Sequence, residues 1–278
     1  MAAIELLDFR DSGLRSEGPS ATATVAGDSS GELIRPSGYS LWAGVATFQA
    51  GASLHWNDTH GDEVVFVESG EVESDGQLVG ANASIIVEAG VPARLDVRET
   101  ARLIHFGSVD SDQPLDGVLG PPRKDGHRVH STDAAGTYVG RYEGRDGVVT
   151  SRFYADSTCP TCRVMLLRNS SDAAFKGPSH FHTQDELIYL LRGDVQIGTL
   201  RLEPGMAVGI PRNFRYSFRS QGGFDFLNFR RDASSMTLAR DTPPVLETGE
   251  GLRMVVVDPG APLDVPPQSI PTESLTET

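Results

Sequence analysis

From Leu41 onward the chain alternates short apolar runs with turn residues: LWAGVATF, EVVFVESG, SIIVEAGV and ARLIHFG. Each run has strand length and is rich in β-branched or aromatic residues, and repeated spacing of this kind predicts a sandwich or barrel. The later half repeats the pattern, with ELIYLLRG as its most apolar run. Ile4 to Phe9 reads as a strand or short helix, and Ser12 to Gly31 as loop with edge strands. Ser108 to Thr137, with Pro-Pro, several glycines and no sustained period, reads as a connection. A last apolar strand, RMVVVD, falls within residues 233–258, and Pro259 to Thr278 reads as a loose tail.

The two halves fall into register at an offset of 123 residues, which carries Glu63 onto Glu186, Gly70 onto Gly193, Val87 onto Ile210, Gly90 onto Asn213 and Phe106 onto Phe229. A constant offset across separate stretches means a duplicated domain. The expected division is residues 1–115 as the N-terminal domain, 116–137 as linker, 138–258 as the C-terminal domain and 259–278 as tail.

Chemistry concentrates in Gly177 to Gly193, GPSHFHTQDELIYLLRG. Side chains alternate faces along a strand, so His180 and His182 share one, and Glu186 has the same parity. Two neutral imidazoles and a carboxylate on one face can hold a divalent metal with positions left open. Surface or hydrogen-bonded histidines are the bland alternative. The same offset sets His180 against Asn57, His182 against Thr59 and Tyr216 against Ala93, so in the first half only the carboxylate, Glu63, survives. His55, His60 and His105 lie near it, but none at the motif position. The expectation is an N-terminal domain without a motif metal site.

This stretch resembles the first motif of the cupin superfamily: HxH, three residues, Glu, six residues, Gly. Gly205 and Pro211, in GMAVGIPRNFRYSF, match the opening of the second motif, where the family's last metal-binding His is replaced by Tyr216. The resemblance, together with the repeat, implies an all-β bicupin: two tandem double-stranded β-helix (jelly-roll) domains with a metal inside the second barrel. On that reading His180, His182 and Glu186 are metal ligands. Tyr216 is a fourth ligand as phenolate, or an acid, base or hydrogen-bond donor to a metal-bound substrate; a buried, space-filling Tyr is the bland alternative. An inward Tyr216 would carry Phe214 and Phe218 with it by parity, and they line the expected substrate pocket with Met206 and Val208.

Composition narrows the partners. Hydrophobic residues make 38%, enough for a packed core, and 30 glycines with 17 prolines suit an all-β chain of many turns. A net charge of -14 without a basic run argues against nucleic acid, and no apolar run is long enough to span a membrane. The N-terminus lacks the basic region of a signal peptide, so the expected address is cytoplasmic. Cys159 and Cys162, in TCPTCRV, precede a strand rather than open a helix, and no second CxxC completes a zinc site. A structural or incidental role follows, with reduced thiols.

The leading functional expectation is a metal-dependent bicupin enzyme on a small organic substrate, of the dioxygenase type. Its metal would be one divalent ion, Fe(II) before Mn, Ni or Zn. The alternatives are a non-oxidative metal-dependent isomerase, lyase or cyclase, and a non-catalytic ligand-binding or sensing bicupin. A homodimer or higher homo-oligomer is expected from the resemblance and from Phe181 and Tyr189, which face away from the metal side.

Overall fold

The structure is a computed structural model, and it describes residues 4–10, 20–108, 129–132, 136–142, 149–155, 162–231, 236–238 and 254–256. Every regular element among them is a β-strand. No helix among the described residues is long and apolar enough to cross a membrane. The tail from 259 lies outside the described residues.

Two large sheets share one strand order. The first runs Glu5–Asp8, Met206–Ile210, Glu186–Gly193, Phe224–Arg230, Met165–Ser171, Val149–Ala155, then Gly136–Tyr142 and Met254–Val256. The second runs Val129–Thr132, Ser84–Val87, Glu63–Ser74, Ala93–Ser108, Leu41–Phe48, Ser29–Ile34. The offset of 123 maps the four central strands of one onto the other. The apolar run near the C-terminus forms the strand Met254–Val256, antiparallel to Gly136–Tyr142.

The outermost strands do not respect the two halves. Glu5–Asp8, from the start of the chain, pairs antiparallel with Met206–Ile210 of the second half. Val129–Thr132, within the stretch read as linker, pairs with Ser84–Val87 of the first half. Each therefore closes the edge of the sheet built by the other half. Pattern gives a strand its faces but not its partner, so a division by sequence alone groups Glu5–Asp8 with the first half and leaves Val129–Thr132 in the linker. An exposed edge is a row of unpaired N–H and C=O groups, and the exchange covers one edge of each sheet.

Alternation sorts the apolar residues into three clusters. Trp56, Val65, Val67, Ile85, Leu95 and Leu103 belong to the interior of the first barrel. Ile188, Leu190, Val208, Ile210, Phe224 and Phe226 belong to that of the second. Odd positions such as Leu187, Tyr189, Leu227 and Phe229 instead join Leu41, Val64, Phe66, Ile104 and Phe106 in a cluster shared by both halves. At its centre Phe106 and Phe229, equivalent by the offset, stack with centroids 5.1 Å apart and planes 17° from parallel. Tyr189, expected to help cover an interface between subunits, is thus covered within the chain. Its ring meets Phe9 edge-on at 5.8 Å, and its hydroxyl accepts a hydrogen bond from Arg102 at 3.3 Å.

The repeat extends to turns. Gly70 and Gly193 take φ of +81° and +83°, and a Cβ would lie 2.3 Å from the Thr100 carbonyl oxygen or 2.1 Å from that of Gly223. Those two carbonyls are themselves 123 residues apart, so one glycine turn is built twice. Asp62 and Asp185 each accept a backbone N–H, from Ala89 at 2.7 Å and Arg212 at 2.8 Å, again at matching positions.

The reduced state expected of the cysteines does not hold for Cys162, which is buried and disulfide-bonded. Cys159, the chain's other cysteine, lies outside the described residues. Disulfides persist in oxidising compartments, so this bond lends no support to a cytoplasmic address.

Candidate metal centre

The strand His180–His182 brings both imidazoles to the end of the second barrel, and Glu186 opens the strand Glu186–Gly193. The non-strand link 183–185 restores Glu186 to their side, as parity requires. The histidine rings lie 5.0 Å apart, and all three side chains are buried. Tyr216 forms an isolated bridge with His180, sealed by two backbone hydrogen bonds of 2.8 and 2.9 Å. That bridge sets its ring 4.4 Å from His180, and its hydroxyl donates to Glu186 Oε1 at 2.5 Å.

Two further residues complete the centre. Asn228 Nδ2 donates to Glu186 Oε2 at 2.9 Å. Arg230 reaches the same oxygen from Nε at 3.3 Å and from a terminal nitrogen at 3.1 Å, and that nitrogen also lies 3.1 Å from His182 Nε2. A guanidinium only donates, so His182 Nε2 accepts there and presents its lone pair to the cation. Parity along Phe224–Arg230 sets Phe224, Phe226, Asn228 and Arg230 on one face, continuous with the barrel interior. Polar residues at two positions of the inward face that Phe224 and Phe226 begin are the sequence signal that could have found them.

Burial works against a charged Glu186, but the charge of Arg230 and the hydrogen bond from the Tyr216 hydroxyl outweigh it and hold its pKa below the usual carboxylate range. His180 is lowered, chiefly by burial, against the opposing pull of the Pro178 carbonyl and Glu186. Its Nδ1 lies 2.9 Å from that carbonyl, so the proton of the neutral ring sits on Nδ1 and Nε2 carries a lone pair.

These residues suit a divalent cation in chemistry: two imidazole nitrogens with lone pairs and an ionised carboxylate. The spacing of two of them suits one too. His182 Nε2 and Glu186 Oε2 are 3.9 Å apart, a span two ligands at about 2.0–2.2 Å from one ion can make. As the side chains stand, however, no group of three or more His, Cys, Asp or Glu among the described residues is placed to hold a metal. Arg230 sits where His182 and Glu186 converge.

The expected pocket residues divide. Val208 lies in the interior cluster with Tyr216, and Phe218 packs against it, its ring 5.3–5.5 Å from Phe175, Phe224 and Phe226. Met206 is buried, its sulfur 3.4 Å from the Glu203 amide. Phe214 is 39% exposed and does not line the interior. The parity argument fails for it because no continuous strand joins Phe214 to Tyr216: residues 212–213 are a turn, with Asn213 at φ 62°, and Tyr216 is an isolated bridge.

The first barrel is built differently at the same place. Asn57 and Thr59 are exposed and bonded to each other, the Asn57 Oδ1 accepting from Thr59 N and Oγ1 at 2.9 and 2.7 Å. Glu63 is buried and accepts from Trp56 Nε1 at 2.7 Å and His105 Nε2 at 2.8 Å. Burial opposes its charge, but His105 leads the groups that hold its pKa down. His105 corresponds to Asn228 by the offset, and Gly107 to Arg230. A Cβ at Gly107 would lie 2.4 Å from the Trp42 ring, so an indole fills the direction that Arg230 takes in the second barrel. Both His60 nitrogens face carbonyls, Gly61 O at 2.7 Å and Val91 O at 2.9 Å, which leaves neither as a ligand.

No protein-family model matches the chain, and no curated protein does. Among solved structures, the fold is similar to Bacillus subtilis oxalate decarboxylase. A tryptophan-to-tyrosine variant of that enzyme superposes with a TM-score of 0.59 at 13% identity, over 86% of this chain and 80% of that one. A structure of the enzyme at pH 4.6 gives 0.58 at 12% identity, over 86% and 78%. One concerned with its Mn(II) centres gives 0.58 at 13%, over 86% and 80%. The fold is that of a bicupin, two tandem cupin domains, as the duplication and the first motif imply.

Proposed function

We propose that this bicupin is an enzyme whose second barrel holds one divalent metal on His180, His182 and Glu186, and that it cleaves a small carboxylic acid without oxidation, as a lyase. The observation that carries the reading is the convergence of His182 and a buried Glu186 on the Arg230 guanidinium, a cation, with the His180 ring 5.0 Å from that of His182. The fold's likeness to a Mn(II) decarboxylase supports the non-oxidative alternative over the dioxygenase expectation. It also supports Mn(II), rather than Fe(II), as the metal to try first.

Bound there, a divalent ion supplies Lewis-acid polarisation of a substrate oxygen. The chain supplies the rest. Asn228 fixes Glu186 Oε2, and His180 is fixed by the Pro178 carbonyl. Ile188, Leu190, Val208, Ile210 and Phe226 exclude water and restrict the substrate to a small molecule. Loss of CO₂ leaves a carbanion that must take up a proton. Tyr216 carries its proton on an oxygen already at the centre, and is the general acid of this reading.

The test uses protein purified without a metal-affinity column, analysed for metal, then reconstituted with Mn(II) or Fe(II). Small mono- and dicarboxylic acids are offered under argon and under air. CO₂ release without stoichiometric O₂ uptake is expected; uptake matching turnover would restore the dioxygenase. The seating of Arg230 among the ligands favours a second reading, a non-catalytic bicupin that binds or senses a small ligand. Saturable binding without product, with metal bound, selects it. The homo-oligomer is likewise a proposal, now resting on the family resemblance and on Phe181, over which Arg215 stacks at 5.3 Å. Light scattering that gives a monomer at every concentration ends it.

A further inference from the structure

We propose that Arg230 is a built-in cation that keeps the second barrel's metal site closed, so that a divalent metal enters only as its guanidinium withdraws. The inference rests on the metal-dependent reading above. The terminal nitrogen of Arg230 is 3.1 Å from Glu186 Oε2 and 3.1 Å from His182 Nε2, and Nε is 3.3 Å from the same carboxylate oxygen. A metal held at about 2.1 Å from each of those two atoms, which are 3.9 Å apart, would lie only about 1.6–3.2 Å from that nitrogen. Two cations cannot share the position, and at such separation in a buried site their repulsion exceeds anything surface charges feel.

The duplication argues that this is a property of the second site. The equivalent residue in the first barrel is Gly107, backed by Trp42, and there the carboxylate is held by Trp56 and His105 with no guanidinium. Arg230 stands with Asn228 on an inward face otherwise occupied by Phe224 and Phe226. A buried guanidinium on that face needs an anion, and Glu186 supplies one. Closure therefore stabilises the metal-free protein and lowers the apparent metal affinity by the fraction of molecules in which Arg230 is withdrawn. Arg230 is in this sense a specificity-determining residue: only an ion that outcompetes a guanidinium is admitted.

The experiment is calorimetric titration of Mn(II) into chelator-stripped full-length protein, for the wild type, Arg230→Met and Arg230→Gln. Both variants are expected to bind about tenfold more tightly or better, within the usual range of coupling between two ligands of one site. Adding His182→Ala to either variant should abolish the gain. Should both variants fail to fold, Arg230→Gly restores the residue of the first barrel, and low-millimolar guanidinium should then weaken its Mn(II) binding while leaving the wild type unchanged. Wild-type binding with no gain in the variants, or no effect of guanidinium on Arg230→Gly, overturns this proposal and leaves the metal reading standing. No binding of Mn(II), Co(II) or Zn(II) by any form overturns both.

Discussion

Glu186 accepts from Tyr216, Asn228 and Arg230, and its charge is readily tested. In the metal-free protein its pKa is held below its ordinary value of 4.5. A depressed carboxylate contributes stability that is complete above its unfolded value and is lost as pH falls through the folded one. The loss is therefore expected as pH falls below about 4.5. Urea denaturation across that range should show the wild type losing stability relative to Glu186→Gln; parallel curves would show that the carboxylate is not held charged. Tyr216→Phe tests the neighbouring oxygen. It should lower turnover by about 10²-fold, as general acids typically contribute, with metal content nearly unchanged. Full activity would reduce Tyr216 to packing. His182→Ala should remove retained metal and activity together.

At the scale of elements, the glycine turn built twice makes a matched experiment. Gly193→Ala sets a methyl against the Gly223 carbonyl at a positive φ, and should cost well over about 1 kcal/mol in chemical denaturation. Gly70→Ala should do the same in the first barrel. Gly80→Ala meets nothing within 4 Å and is the control; a surface change of this kind stays within about 0.5 kcal/mol. Equal effects at all three positions would show that the turn conformation is not required. The exchanged strand Glu5–Asp8 is short, and its anchor is the next residue along the chain. Phe9 is buried against Tyr189, with its N–H bonded to the Gly205 carbonyl at 3.2 Å.

For the whole molecule, the shared cluster around Phe106 and Phe229 makes the two barrels one cooperative unit. Two strands cross between the halves, and Arg168 binds Asp225 in its own half and Asn82 in the other, at 2.7 and 2.6 Å. Metal-free protein should unfold in a single calorimetric transition. Phe229→Ala should lower stability by about 3–5 kcal/mol, the usual cost of emptying a buried aromatic site. Two resolved transitions in the wild type would show that the barrels are independent and the shared core a mere contact.

Period-two patterning and the repeat at 123 residues were enough to read all-β architecture, duplication and the face shared by His180, His182 and Glu186. These follow from alternation and spacing, which are local properties of a strand. The same alternation marked Tyr189 as outward but not what covers it, because burial depends on the partner surface and that surface is 87 residues away at Arg102. The exchange of Glu5–Asp8 and Val129–Thr132 was equally invisible, since antiparallel pairing is chosen by whichever edge the fold leaves open. Phe214 was misread because alternation holds only inside a strand, and the turn at Asn213 breaks it. Arg230 was passed over for a related reason. Its face could be counted from Phe226 and Asn228, but only the tertiary structure brings the Phe224–Arg230 strand beside Glu186. The ligand types are thus a property of the sequence, while the cation seated among them is decided by strand pairing, which sets a guanidinium within hydrogen-bond reach of a buried carboxylate.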